Sequence, residues 1–171
     1  MERLSFTKGR FFRYINSGEK SNIKIGEINL KTSEQKIELA MLSAWGIALM
    51  ATLGSLYFSE ILNYIPCELC WIQRIFMYPL AITLAIATVK KDVRQAYYTL
   101  PLSLIGLGFS VYHYMLQKIP FLSSVGEACG IIPCNYQYIN YLGFITIPFL
   151  ATVAFLLISL LMVWVIKTSK E

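Results

Sequence analysis

Four cysteines fall in two close pairs, Cys67-Glu68-Leu69-Cys70 and Cys129-Gly130-Ile131-Ile132-Pro133-Cys134, and the chain has no others. An even count at short spacing points to dithiol–disulfide chemistry. A thiolate is the nucleophile in that exchange, and a helix N-terminus or a nearby cation favours it. Pro66 directly precedes Cys67, and proline suits the first turn of a helix. Cys67 and Cys70 are therefore expected on the opening turn of a helix. Arg74 lies four residues past Cys70 and seven past Cys67, so a helix sets all three on one face. A permanent cation at that depth in an apolar helix either has a task or snorkels to the headgroups. Gly130 and Pro133 bend the second pair, where a disulfide is sterically reasonable. Closing so small a loop gains little chain entropy, which favours an exchanging role over a staple. Four cysteines could also hold zinc, but the unequal spacings and the lack of further ligands argue against a metal.

His113 is the only histidine, and Gln117 follows it at helical spacing. Both fall near the end of an apolar run, at a depth that should match Arg74. A His/Gln pair beside an arginine could hydrogen-bond the carbonyl oxygens of a quinone held among apolar walls. The plainer reading is a helix-end histidine satisfied by a local carbonyl.

The elements that must position these residues are apolar. The chain has 171 residues, 56% of them hydrophobic, and a mean hydropathy of +0.56. Four long apolar stretches account for this: Leu39–Phe58, Trp71–Val89, Tyr97–Leu116 and Leu142–Ile166. A 20-residue helix spans roughly 30 Å, the thickness of a bilayer core, and helices satisfy their own backbone in lipid. The reading is an all-α integral membrane protein, a four-helix transmembrane bundle. Of fifteen basic residues, thirteen lie before Leu39, in Lys90–Gln95, or after Ile166. Arg74 and Lys118 alone lie at the opposite interface. The positive-inside rule then places both termini in the cytoplasm and both cysteine pairs outside, where disulfides persist. The net charge of +5 is thus a topology signal, and a nucleic-acid partner is not expected. The first apolar run comes too late and is too long for a cleavable signal peptide, so it is expected to stay as an anchor.

Residues 1–38 read as a polar cytoplasmic segment, loosely ordered or lying on anionic lipid. Residues 39–166 form the membrane redox domain, and 167–171 a short tail. The brief Lys90–Gln95 link makes the second and third helices antiparallel neighbours. In the outer loop Gln117–Tyr141, Tyr136, Tyr138 and Tyr141 read as an interfacial aromatic belt.

Pro66-Cys67-Glu68-Leu69-Cys70-Trp71-Ile72-Gln73-Arg74 resembles the quinone-linked motif of the DsbB disulfide-formation proteins. His113-Tyr114-Met115-Leu116-Gln117, followed by Pro120, is similar to that family's third helix entering its second outer loop. Cys67–Leu80 and Cys129–Tyr141 resemble the short, BdbC-type branch. The likeness covers roughly residues 39–166. It implies a four-helix membrane bundle that reoxidises an extracytoplasmic DsbA- or BdbD-like thioredoxin-fold partner and passes electrons to a membrane quinone. That quinone is menaquinone or ubiquinone, and the branch suggests menaquinone. By the same likeness Cys129 forms the mixed disulfide with the partner, and Cys134 resolves it. Cys67 exchanges with the loop pair. Cys70 faces the quinone, Arg74 stabilises charge, and His113 and Gln117 are quinone neighbours. The loop pair is closer together than in longer members of the family. A reverse conduit carrying reducing power outward would need cysteines on the cytoplasmic side, and none are expected there. The alternative from another class is a non-catalytic membrane scaffold with two structural disulfides. It leaves Arg74 without a task.

Overall fold

A computed structural model describes residues 20–119, 121, 133–140 and 144–169, with side chains from residue 33 onward. It divides the chain into two compact units, Met1–Glu34 and Gln35–Glu171. Its long helices are α1 (Lys20–Leu56), α2 (Glu68–Lys90), α3 (Ala96–Lys118) and α4 (Ile147–Thr168). Among the described residues, four helical segments are long and apolar enough to cross a membrane: Ser33–Ile61, Glu68–Lys90, Val93–Lys118 and Ile147–Thr168. The bundle wears its large hydrophobics outside. Ile75, Ile82, Ile86, Val89, Leu104, Ile105 and Leu160 are all about half exposed or more. A water-soluble domain would not present that much contiguous apolar surface, whereas lipid accepts it.

Small residues set the inner faces. Ala40, Ala44 and Ala48 form a buried stripe on α1 at four-residue spacing, which lets a neighbouring backbone approach closely. On α3 the buried stripe is Ala96, Thr99, Ser103, Gly106, Ser110, His113 and Leu116. Ser103 and Ser159 share a hydrogen bond between their hydroxyls at 2.9 Å, joining α3 to α4. A Cβ on Gly106 would stand 2.6 Å from Cζ and 2.9 Å from Cδ1 of Phe155. Phe155 is fully buried, so a larger residue at this crossing would force its ring to shift. The histidine predicted as a site residue thus belongs to the face that α3 turns inward.

Three boundaries depart from the sequence reading. Helix α1 begins at Lys20, well ahead of the apolar run, because nothing in the polar stretch before Leu39 breaks a helix: it holds no proline. Of the segment 1–38, expected to be loosely ordered or to lie on anionic lipid, residues 20–38 are helical and residues 1–19 lie outside the described residues. Helix α4 starts at Ile147, later than the apolar stretch from Leu142, because Pro148 marks its first turn and Thr146 stands extended before it. Pro66 sits one residue before the N-cap Cys67, not inside the first turn. Its ring disfavours a helical backbone in the residue before it, which keeps the approach Ile65–Pro66 outside α2.

The turn leading into that approach is built by local bonds. Helix α1 closes in a π-helical turn, Tyr57–Ile61. Tyr64 N–H donates to the Phe58 carbonyl at 2.9 Å, and Asn63 takes the left-handed conformation that asparagine tolerates, with φ of 54°. At the other end, Lys91 caps α2 with φ of 53°. The Asp92 carboxylate then accepts from the Arg94 backbone N–H at 3.0 Å, opening the 3₁₀ turn into α3. Lys91 pairs with Glu38 at 2.7 Å, but both side chains are well exposed, and such pairs contribute about 0–1 kcal/mol.

Candidate active site: two thiols, a histidine bridge and a cavity

Cys67 is the N-cap of α2, and Cys70 is its third helical residue. Cys67 Sγ donates to Cys70 Sγ at 3.1 Å. The Cys67 thiol is pushed up to about 12, first by this bond to Cys70 and then by burial. Cys67 therefore keeps its proton at neutral pH, and the hydrogen bond ends on Cys70. Glu68 supplies an acidic residue in the first turn, favourable against the helix dipole.

His113 fixes the direction of this hydrogen-bond chain. Its ring is 1% exposed. Nε2 lies 3.1 Å from the Cys134 carbonyl oxygen and 3.6 Å from Cys67 Sγ. A carbonyl can only accept, so Nε2 carries the proton. In the neutral ring Nδ1 is then bare, and the amide of Gln73 donates to it across 3.2 Å. The sequence of donors runs Gln73 to His113, His113 to Cys67, Cys67 to Cys70. The same ring proton reaches the loop backbone at Cys134.

Cys134 is fully buried and packs in one cluster with Cys67, Leu69 and Leu116. Its segment is tied down on both sides. Tyr136 N–H donates to the Pro133 carbonyl at 3.1 Å, closing a turn around Cys134. The Gln117 amide donates to the Tyr136 carbonyl at 3.1 Å, and the Gln137 amide returns to the Gln117 carbonyl at 3.0 Å. Tyr138 Oη donates to the Ile65 carbonyl at 3.1 Å, and its ring stacks on Tyr64 at 4.7 Å. Tyr138, expected with Tyr136 in an aromatic belt, ties the loop to the approach of α2, and Tyr136 packs edge-on against Tyr138 at 4.8 Å. Cys129 and Tyr141 lie outside the described residues.

On the other flank of α2 a cavity of about 220 Å³ opens between α1, α2 and α4. Its walls include Gly54 and Ser55 from α1, Cys70, Arg74 and Tyr78 from α2, and Leu150 and Phe155 from α4. A Cβ on Gly54 would meet nothing within 4 Å. Arg74 Nε donates to Ser55 Oγ at 2.9 Å, and Nη2 donates to the Ser55 carbonyl at 3.1 Å. Its guanidinium lies 5.3 Å from the Trp71 ring centroid, a cation–π distance. Arg74 is therefore held at the cavity beside Cys70 and bonded into α1.

The predicted site residues thus fall in two places. Cys70 and Arg74 line the cavity. His113 and Gln117 do not. They stand on the opposite flank, between the thiols and the loop. The reason is the rotation of α3, whose inward stripe carries His113 toward Cys67. The carbonyl that satisfies it belongs to Cys134, not to a neighbour on its own helix.

Gln73, Ser55 and Tyr78 were missed. Gln73 could have been found, because it is a polar residue on the stripe Leu69, Gln73, Met77 that α2 buries. Ser55 gave no signal before its helix partner was known. Tyr78 lines the cavity, and its Oη is buried without a hydrogen-bond partner among the described residues. Such an orphaned hydroxyl costs about 1–3 kcal/mol.

Donor atoms of Cys67, Cys70 and His113 all lie within 4.8 Å of one another, so a soft cation is one candidate occupant. The Cys134 carbonyl opposes it. A metal would need a bare Nε2, and that lone pair would face the oxygen at 3.1 Å. The geometry suits thiol exchange better.

An apolar helical bundle with a dithiol at a helix head, tied through His113 to a third cysteine, defines a membrane protein of the thiol–disulfide class. The chain belongs to the DsbB family: the model of "Disulfide bond formation protein DsbB" matches residues 37–166. It is 54% identical over 134 residues to the "Probable disulfide formation protein C 1" of Bacillus anthracis, covering 78% of this chain and 96% of that one. The "Disulfide bond formation protein C" of Bacillus subtilis (strain 168) is 54% identical over 120 residues, covering 70% of this chain and 87% of that one. A "Probable disulfide formation protein" of Chlamydia trachomatis is 41% identical over 125 residues, covering 73% and 90%. No solved structure matches. The resemblance to the short branch holds, and the chain is a multi-pass membrane protein of disulfide bond formation.

Proposed function

We propose that this protein is a quinone-dependent thiol oxidase, with both termini cytoplasmic and its cysteine end outside. It reoxidises a DsbA- or BdbD-like thioredoxin-fold partner and so sustains disulfide formation in exported proteins. One observation carries the reading. His113 joins the Cys134 backbone to the Cys67 thiol on one flank of α2, while Cys70 opens on an Arg74-lined cavity on the other. The two thiols of one motif thus face two different reactants. The distribution of basic residues supports the orientation.

The steps balance as two-electron exchanges. One thiolate of the partner attacks Cys129 of the Cys129–Cys134 disulfide and expels Cys134 as a thiolate. The partner's second thiol then resolves the mixed disulfide, so that the partner leaves oxidised and Cys129 and Cys134 are both reduced. The reduced loop pair then attacks the Cys67–Cys70 disulfide, Cys67 being the sulfur on the loop side. Cys67 and Cys70 are left as thiols. Bound in the cavity, a quinone (menaquinone or ubiquinone) supplies the acceptor for their two electrons and two protons. The residues fit such a group: an apolar chamber, a sulfur and a cation on its wall, and a hydroxyl awaiting an acceptor. In that chamber Arg74 favours negative charge at Cys70, and the Cys67 proton stays on its sulfur until Cys70 has reacted. His113 and Gln117 act as positioning residues. The first holds Cys134 and Cys67 together, and the second fastens the loop.

The test is quinone reduction, followed by ultraviolet absorbance, with purified protein in detergent and a reduced DsbA-like donor. Wild type is expected to turn over, with Cys70→Ser and Cys129→Ser both inactive. Turnover that survives either substitution sinks the relay, and absence of quinone binding sinks the oxidase.

A further inference from the structure

Helix α2 presents three chemically different groups to the cavity at four-residue intervals: Cys70, Arg74 and Tyr78. Each interval is one turn, so Tyr78 lies roughly 6 Å beyond Arg74 and 12 Å beyond Cys70 along the axis. At the Cys70 end the polar groups already have partners: Arg74 with Ser55, and Gln73 with His113. The cavity wall also carries Met50, Ala51, Met77 and Phe155, whose side chains offer no acceptor stronger than a thioether sulfur. Tyr78 belongs to the same wall, and its hydroxyl is buried with no partner among the described residues. A phenol placed so needs an acceptor on the ligand. That ligand must be apolar in its body, carry an acceptor near Arg74 and carry a second one a turn deeper. A ring with two carbonyl oxygens on opposite sides meets all three demands.

We propose that Tyr78 is a quinone-binding residue whose O–H donates to the ring carbonyl farther from Cys70, so that Arg74 and Tyr78 together select a para-dione lying along α2. This rests on the quinone reading above. Tyr78 takes no part in thiol exchange. It sets the depth and tilt of the ring so that one edge stays at Cys70.

The test is direct binding of menadione to the full chain in detergent, read by quenching of tryptophan fluorescence, for wild type and Tyr78→Phe. Tyr78→Phe keeps the ring and its packing and removes only the donor. Binding of menadione is expected to weaken about tenfold. The monoketone α-tetralone lacks the second carbonyl, and its weaker binding is expected to be equal in the two proteins. Equal menadione affinity in wild type and Tyr78→Phe would overturn the role of Tyr78 and leave the quinone reading standing. An equal loss for α-tetralone would also overturn it, since the defect would then be one of shape. No menadione binding by wild type would bring down both.

Discussion

His113→Phe is expected to slow disulfide exchange between the loop pair and Cys67–Cys70 by about a hundredfold, the scale of a reactant displaced by an ångström. Phenylalanine fills the same buried space on α3 but removes both ring nitrogens. The Cys134 carbonyl then loses its donor at 3.1 Å, and Gln73 loses its acceptor at 3.2 Å. Each buried group left unpaired costs about 1–3 kcal/mol. The loop is still fastened by Gln117 and Tyr138, so it should remain near α2 with its cysteine misplaced. His113→Gln is expected to recover part of the rate, because its amide can donate toward the same carbonyl. Rapid quenching followed by alkylation would count which pair is oxidised over time. Quinone affinity should change far less than the exchange rate, since His113 itself does not line the cavity and reaches it only through Gln73. A normal exchange rate in His113→Phe, or a loss of quinone binding instead, would contradict the placement.

Arg74→Met is expected to lower the quinone-reducing step by about a hundred- to a thousandfold, the usual effect of removing one preorganised charge-stabilising donor. It should leave exchange between the loop pair and Cys67 close to normal, which is the reverse of the His113 pattern. Two further consequences follow from the bonds of Arg74 to Ser55. The clasp between α1 and α2 at the cavity mouth is lost, so thermal stability should fall. Arg74→Lys should rescue poorly, because an ammonium cannot reproduce the paired Nε and Nη2 contacts at 2.9 and 3.1 Å. Following both half-reactions in one preparation checks this. Equal slowing of both would mean that Arg74 supports the fold and not the cavity chemistry.

Helices α2 and α3 were legible because uninterrupted apolar runs of bilayer length admit one reading. The start of α4 was not, since Leu142 is as apolar as the helix it precedes and only Pro148 marks the turn. Helical spacing predicted one face for Cys67, Cys70 and Arg74, but Cys67 is the N-cap and turns to His113, so only Cys70 and Arg74 share the cavity. Spacing puts Cys70 and Arg74 on one line, but only the neighbouring helices decide that this line faces a cavity while Cys67 faces His113. Likewise the buried stripe on α3 identifies His113 as inward, yet the rotation of α3 against α2 decides what it meets. Gln73 and Ser55 acquire their roles only across a helix–helix contact, which one-dimensional periodicity does not contain.

The most direct measurement is a single turnover without oxygen. The fully reduced protein is mixed with one equivalent of quinone and no partner, quenched with acid and alkylated, and its disulfides are mapped by peptide mass. One disulfide per quinone consumed, located between Cys67 and Cys70 in a Cys129→Ala/Cys134→Ala background, is the result this account predicts. Bound quinone with both thiols still reduced, or a disulfide that forms equally fast without quinone, would contradict it.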